Sequence, residues 1–150
     1  MMIDYRIAKT ELEASFYLTN STVLRGTVFV AEYAGRHSGR QTLGDLMVDT
    51  VAMVPLVDRR GHFVLVGVEN IVAAEVDHRA AALPQLVVNV PVHIDAAGGH
   101  RFDGALLLDQ GAGDRLSDVL NAAAAWLPME TPSGVAWISR RHIVTARPRT

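Results

Sequence analysis

Gly26-Thr27-Val28-Phe29-Val30 recurs as Gly104-Ala105-Leu106-Leu107-Leu108, and Leu43-Gly44-Asp45-Leu46-Met47 recurs as Leu116-Ser117-Asp118-Val119-Leu120. The offset of the second pair also lays Ala52 on Ala125, Pro55 on Pro128 and Gly61 on Gly134. A one-residue shift then brings Ile71-Val72 onto Ile143-Val144 and Ala74 onto Ala146. Chance supplies stray Ala and Val matches, but not Gly, Leu/Asp, Pro and Ile-Val landmarks in one order. The chain therefore reads as a tandem repeat of units of roughly sixty residues, and a repeat restricts the fold before any local propensity is considered. The division is 1–76 for the first repeat with an N-terminal arm, 77–91 for a joint, and 92–150 for the second repeat.

Each unit reads β-β-α-β-β-β. In the second, Val92 to Ile94 leads through Asp95-Ala96-Ala97-Gly98-Gly99 into an apolar run ending at Leu108, which is strand, turn and strand. Leu116, Val119, Leu120, Ala123, Ala124 and Leu127 then fall on one helical face, with Asp114 at the N-cap position and Pro128 as the stop. The first unit repeats that phase with Leu43, Leu46, Met47, Thr50, Val51 and Val54 before Pro55. A strand, a Gly-bearing polar turn, a second strand and a last β-branched run follow each helix. Residues 1–14 and the joint are extra; within the joint, Arg79 to Leu83 reads as a helical turn and Leu86 to Val90 as a strand. Units this small are marginal alone, so a substantial interface between them is expected, here as a pseudo-twofold pair.

Leu24-Arg25-Gly26-Thr27-Val28 resembles the first motif of Sm-like proteins, in which a Gly lets a strand bend sharply. The segment from Gly61 to Val72, with its strand, tight turn and strand ending in Ile71-Val72, is similar to the second Sm motif. The resemblance covers most of the first unit and implies two tandem small five-stranded barrels; the helix between the second and third strands of each unit departs from the Sm pattern, which carries its helix before the first strand. The Leu-x-Asp-x-Leu pattern around Asp118 is similar to uncharacterised bacterial small-domain proteins, a resemblance that carries no activity.

Charge limits the partners. With 14 Lys+Arg against 16 Asp+Glu, the chain carries a net charge of −2, unsuited to general polyanion binding. The absence of Cys removes disulfides, thiolate metal sites and thiol nucleophiles together. Only Lys9 among the basic residues is a lysine, a bias that points to a GC-rich bacterial source. The first ten residues carry Asp4, Arg6 and Lys9 with no apolar h-region, and no apolar stretch reaches the ~20 residues of a spanning helix. A cytoplasmic, non-membrane protein is the expectation.

No catalytic constellation, metal site or cofactor motif stands out, and none is assigned. The six histidines form no His-x₃-His pair. His93-x-Asp95 puts both side chains on one strand face, with His100 across the hairpin, an arrangement that suits a solvated hairpin better than a metal. Asp45 and Asp118 recur between the units; a helix-start role accounts for them better than a carboxylate pair. The Gly-flanked loop carrying Arg36, His37 and Arg40 precedes a helix N-terminus, where an anion can meet free amides. Arg140 and Arg141 form the second basic cluster. The leading expectation is a non-enzymatic protein–protein interaction or assembly module, self-associating as a homo-oligomer or bound to another protein. The alternative is an Sm-like nucleic-acid or nucleotide binder using Arg36, His37, Arg40, Arg140 and Arg141.

Overall fold

The computed structural model describes residues 9–32, 39–81, 83, 88–109, 115–121 and 125–149. The chain is mainly β. Its strands are β1 (Lys9–Leu18), β2 (Val23–Ala31), β3 (Met53–Asp58), β4 (Phe63–Gly67), β5 (Ile71–Val76), β6 (Val88–Ala96), β7 (His100–Leu108), β8 (Trp126–Thr131), β9 (Gly134–Ser139) and β10 (Ile143–Pro148). Two short helices, α1 (Leu43–Asp49) and α2 (Leu116–Asn121), lie between β2 and β3 and between β7 and β8. All strands join one antiparallel sheet in the order β10-β6-β7-β8-β9-β5-β1-β2-β3-β4. The first half thus contributes 5-1-2-3-4 and the second contributes its own five strands in the same internal order.

This arrangement corrects two expectations. The halves are not two separate closed barrels, because β5 pairs with β9 of the other half and the sheet stays open at β4 and β10. Nor do they form a pseudo-twofold pair. A twofold that sets β5 against β9 must also set β10 against β4, and those strands stand at opposite ends of the sheet. The halves are joined head to tail.

Alternation explains which strands form. In β1, Leu12, Ala14 and Phe16 point into the core while Glu11 and Glu13 point out, a period of two. Residues 9–14, expected to be an arm, therefore belong to a full strand. In the joint, Val88–Ala96 is one strand running straight through Pro91, so the two strands expected on either side of that proline are one. The turn expected near Arg79 is a 3-10 turn at His78–Ala80.

Both helices end earlier than their apolar stripe. Thr50 caps α1, its N–H donating to the Leu46 carbonyl at 3.0 Å, and Val54 then alternates with Leu56 as a buried residue of β3. Leu127 is likewise a strand residue, in β8. Pro55 and Pro128 sit inside β3 and β8 rather than stopping a helix. They are tolerated because β2 and β3 pair only over Gly26↔Asp58 and Thr27↔Val57, and β7 and β8 only over two residue pairs. Beyond those pairs the strands part, leaving the face without a prolyl N–H unpaired. Where they do touch, glycine is required: a Cβ at Gly26 would run into the Val57 carbonyl, and one at Gly104 into the Glu130 carbonyl. Gly61 and Gly134 are not equivalent by register. Gly61 has φ +83° in the β3–β4 turn, whereas Gly134 is the first residue of β9, opposite Thr131.

Two cores form, and each borrows from the other half. The first gathers Phe16, Val28, Val30, Leu43, Met47 and Leu56 but also takes Leu107, Val135 and Trp137. The second gathers Ile94, Phe102, Leu106, Met129 and Ile138 but also takes Val72 and Ala73 from β5. Reciprocal burial of this kind lets each undersized unit complete its own core with residues of the other. No helix among the described residues is long and apolar enough to cross a membrane.

Candidate interaction surface

At the junction of the halves, β5 of the first meets β9 of the second. Strands β5 and β9 pair as Ala73↔Ile138, Ala74↔Trp137, Glu75↔Ala136 and Val76↔Val135, and every residue of both strands is buried. Trp137, 6% exposed, lies against Gly44 of α1, where a Cβ would overlap the indole. Thr131 Oγ1 donates to Glu75 Oε2 at 2.9 Å, and the Tyr17 hydroxyl approaches Glu75 Oε1 at 3.4 Å. Burial and then the Glu75 charge push the Tyr17 phenol above its ordinary value. Two histidines close the ends of the contact. His100 Nε2 meets the Leu18 carbonyl at 2.8 Å, and His142 Nε2 meets the Glu69 carbonyl at 2.7 Å.

At the outer edges the same strands have no cover among the described residues. By ladder register and by the 3-10 turns that follow, β4 holds the place in the first half that β9 holds in the second. Likewise β10 holds the place of β5. Phe63 and Leu65 on β4 stand where β9 has buried Val135 and Trp137, yet they are 68% and 52% exposed. Val144 on β10 is 68% exposed where β5 has the fully buried Val72. Met53, opposite Gly67, and Val51 extend the apolar surface at the β4 side. Exposed apolar groups clustered on unpaired strand edges mark an interaction surface.

Among the described residues, the candidates read from sequence fall at the start of α1, in α2 and in the 3-10 turn after β9. Arg36 and His37 lie outside the described residues, as does Asp114, and Arg40 is exposed ahead of α1. Asp45 completes a capping box: its backbone N–H donates to Thr42 Oγ1 at 3.0 Å and its carboxylate accepts from the Thr42 N–H at 2.9 Å. Asp118 is exposed in the first turn of α2. Arg140 and Arg141 lie in the 3-10 turn Arg140–His142, and an Arg140 nitrogen reaches the Leu120 carbonyl at 3.4 Å. They border a cavity of about 200 Å3 with Glu69 and Trp126.

The other concavities are shallow and of mixed charge. A groove of about 600 Å3 beside Gly26 is lined by Glu13, Arg25, Asp58, Arg59, Glu75 and Asp77. A counterpart of about 490 Å3 lies beside Gly104. His93 draws on Asp103, at 2.6 Å from Nδ1, and on Asp95, at 3.2 Å from Nε2, while His100 is turned to Leu18 instead. The hydrogen bond to Asp103 leads in raising the His93 pKa above its ordinary value, with Asp95 adding to it. Burial alone would raise Asp95, but hydrogen bonds from Thr145 and His93 outweigh it and hold its carboxyl below the usual range. Among the described residues, no group of three or more His, Cys, Asp or Glu is placed to hold a metal ion.

Compared with known proteins, the chain matches no family model, no curated protein and no solved structure. Its open edges were not legible in the sequence: Phe63 and Leu65 read there as ordinary strand residues of a closed barrel, because a strand's pattern records its faces and not its neighbours.

Proposed function

We propose that this chain is a non-enzymatic protein–protein assembly module that acts through the two open edges of its sheet. The observation that carries this reading is the exposure of Phe63, Leu65 and Val144 on edge strands whose counterparts in the other half are buried. Duplication of one Sm-like unit accounts for that correspondence. An unpaired edge offers a row of N–H and C=O groups that a partner strand satisfies, and apolar side chains beside it add burial. The near-neutral charge fits a protein partner better than a polyanion.

Hydrogen exchange tests this directly. With rising protein concentration, or with host-cell extract added, the outward amides of β4 and β10 should slow toward the rates of β5 and β9. Edges that exchange as free strands under both conditions overturn the reading.

The alternative, nucleic-acid or nucleotide binding, draws on the cavity that Trp126, Arg140 and Arg141 line together, residue types that stack on bases and pair with phosphate. It predicts binding to short RNA or DNA that falls steeply with salt. Absence of binding at low salt removes it.

A further inference from the structure

The chain contains one finished junction, β5 with β9, and the two unfinished halves of the same junction at its ends. We propose that the β4 edge of one copy pairs with the β10 edge of the next, head to tail, in the register that β9 and β5 already use; it rests on the edge-assembly reading above and names the partner as a second copy.

Register equivalence sets the pairs. Val66, Leu65 and Val64 of β4 take the places of Ile138, Trp137 and Ala136, and Thr145, Ala146 and Arg147 of β10 take those of Ala73, Ala74 and Glu75. Leu65 therefore faces Ala146, as Trp137 faces Ala74.

The backbone agrees with this pairing. On β4, the Val68 N–H donates to Ala52 and the Asp58 N–H to His62, so alternation turns the N–H groups of Phe63 and Leu65 to the open side. On β10, the Arg149 N–H donates to Pro91, so Arg147 and Thr145 turn inward and Ala146 faces outward. Leu65 and Ala146 thus both present N–H and C=O where a hydrogen-bonded pair needs them. Pro148 has no N–H, and its carbonyl alone accepts from Phe63 at the end of the ladder.

Side chains agree as well. In the internal junction Thr131 reaches Glu75. The counterparts of those residues are Asp58, at the end of β3, and Arg147, a carboxylate and a guanidinium of opposite charge. At the helix, Trp137 rests on Gly44, and the counterparts are Leu65 and Ser117: a smaller apolar group over a slightly larger small residue. Pairing of unlike edges repeats without limit until it closes, so the product is a ring when the rotation per copy divides a full turn.

The test is light scattering on gel-filtered full-length chain, with one edge blocked at a time. Leu65→Pro and Ala146→Pro each remove an outward N–H and leave the inner ladder intact. Leu65→Lys and Arg147→Glu serve as milder variants, with circular dichroism confirming that each variant folds. Wild type should run as a multimer. Either proline variant alone should run as a single chain. Mixed together, each retains one good edge, and the two should form a dimer that carries one junction. Loss of assembly with Leu65→Pro but not with Ala146→Pro means β4 pairs with β4, and overturns the proposal. A multimer that survives both blocks overturns it too. If those blocked edges still slow their exchange in host extract, assembly through edges stands with a different partner. Single-chain wild type with freely exchanging edges overturns both.

Discussion

Trp137 of β9 lies on Gly44 of α1, a contact between the two halves that leaves no room for a methyl group at position 44. Gly44→Ala forces the indole or the helix to move, at a cost of about 1–3 kcal/mol. Trp137→Ala leaves a cavity between the halves and costs about 3–5 kcal/mol. Urea unfolding followed by circular dichroism measures both. Because both cores borrow residues across the junction, each variant should still unfold in one transition rather than releasing one half first.

Glu75 is buried at the same junction and takes its shorter hydrogen bond from Thr131, with the Tyr17 hydroxyl as the second donor. Thr131→Val keeps the shape, removes the donor and should destabilise by about 1–3 kcal/mol in the same unfolding assay. Glu75→Gln removes the charge that helps push up the Tyr17 phenol, so ultraviolet titration should show Tyr17 ionising at lower pH in that variant.

His93 stands between two carboxylates, and only the imidazolium donates to both at once. Its folded pKa is raised above 6.5, first through the Asp103 hydrogen bond. The stabilisation is therefore fully present below the unfolded value and disappears as pH rises through the folded one. Proton NMR of the ring should show the raised midpoint, and Asp103→Asn should move it down. An unchanged midpoint in that variant would assign the shift elsewhere.

Thr42 and Asp45 form the capping box of a helix of only 7 residues, so α1 depends heavily on its cap. Thr42→Ala should cost about 1 kcal/mol. Chemical denaturation gives the loss, and faster amide exchange at Asp45 would locate it.

The phase of both helices could be read from the spacing of Leu43, Leu46 and Met47 and of Leu116, Val119 and Leu120, but their ends could not. Val54 and Leu127 satisfy a helical stripe and a strand's alternation equally, and only their burial in β3 and β8 settles which period applies. The N-terminal part of β1 escaped notice for a related reason: Ala14 is a weak marker between Leu12 and Phe16, although all three face the core. Among the candidate residues, the helix-start place of Asp45 was visible in its position two residues after Leu43, at the start of the apolar stripe. The edge residues were not, since Phe63 and Val135 occupy matching strand positions and differ only in what lies beside them.

The sequence by itself determined the mainly-β class and the phase of the two short helices, because periodicity encodes burial locally. Tertiary structure alone decided that β5 meets β9 and that β4 and β10 stay open. Backbone hydrogen bonds are the same for every strand, so the choice of partner rests on long-range side-chain fit, here Trp137 on Gly44 and Thr131 on Glu75.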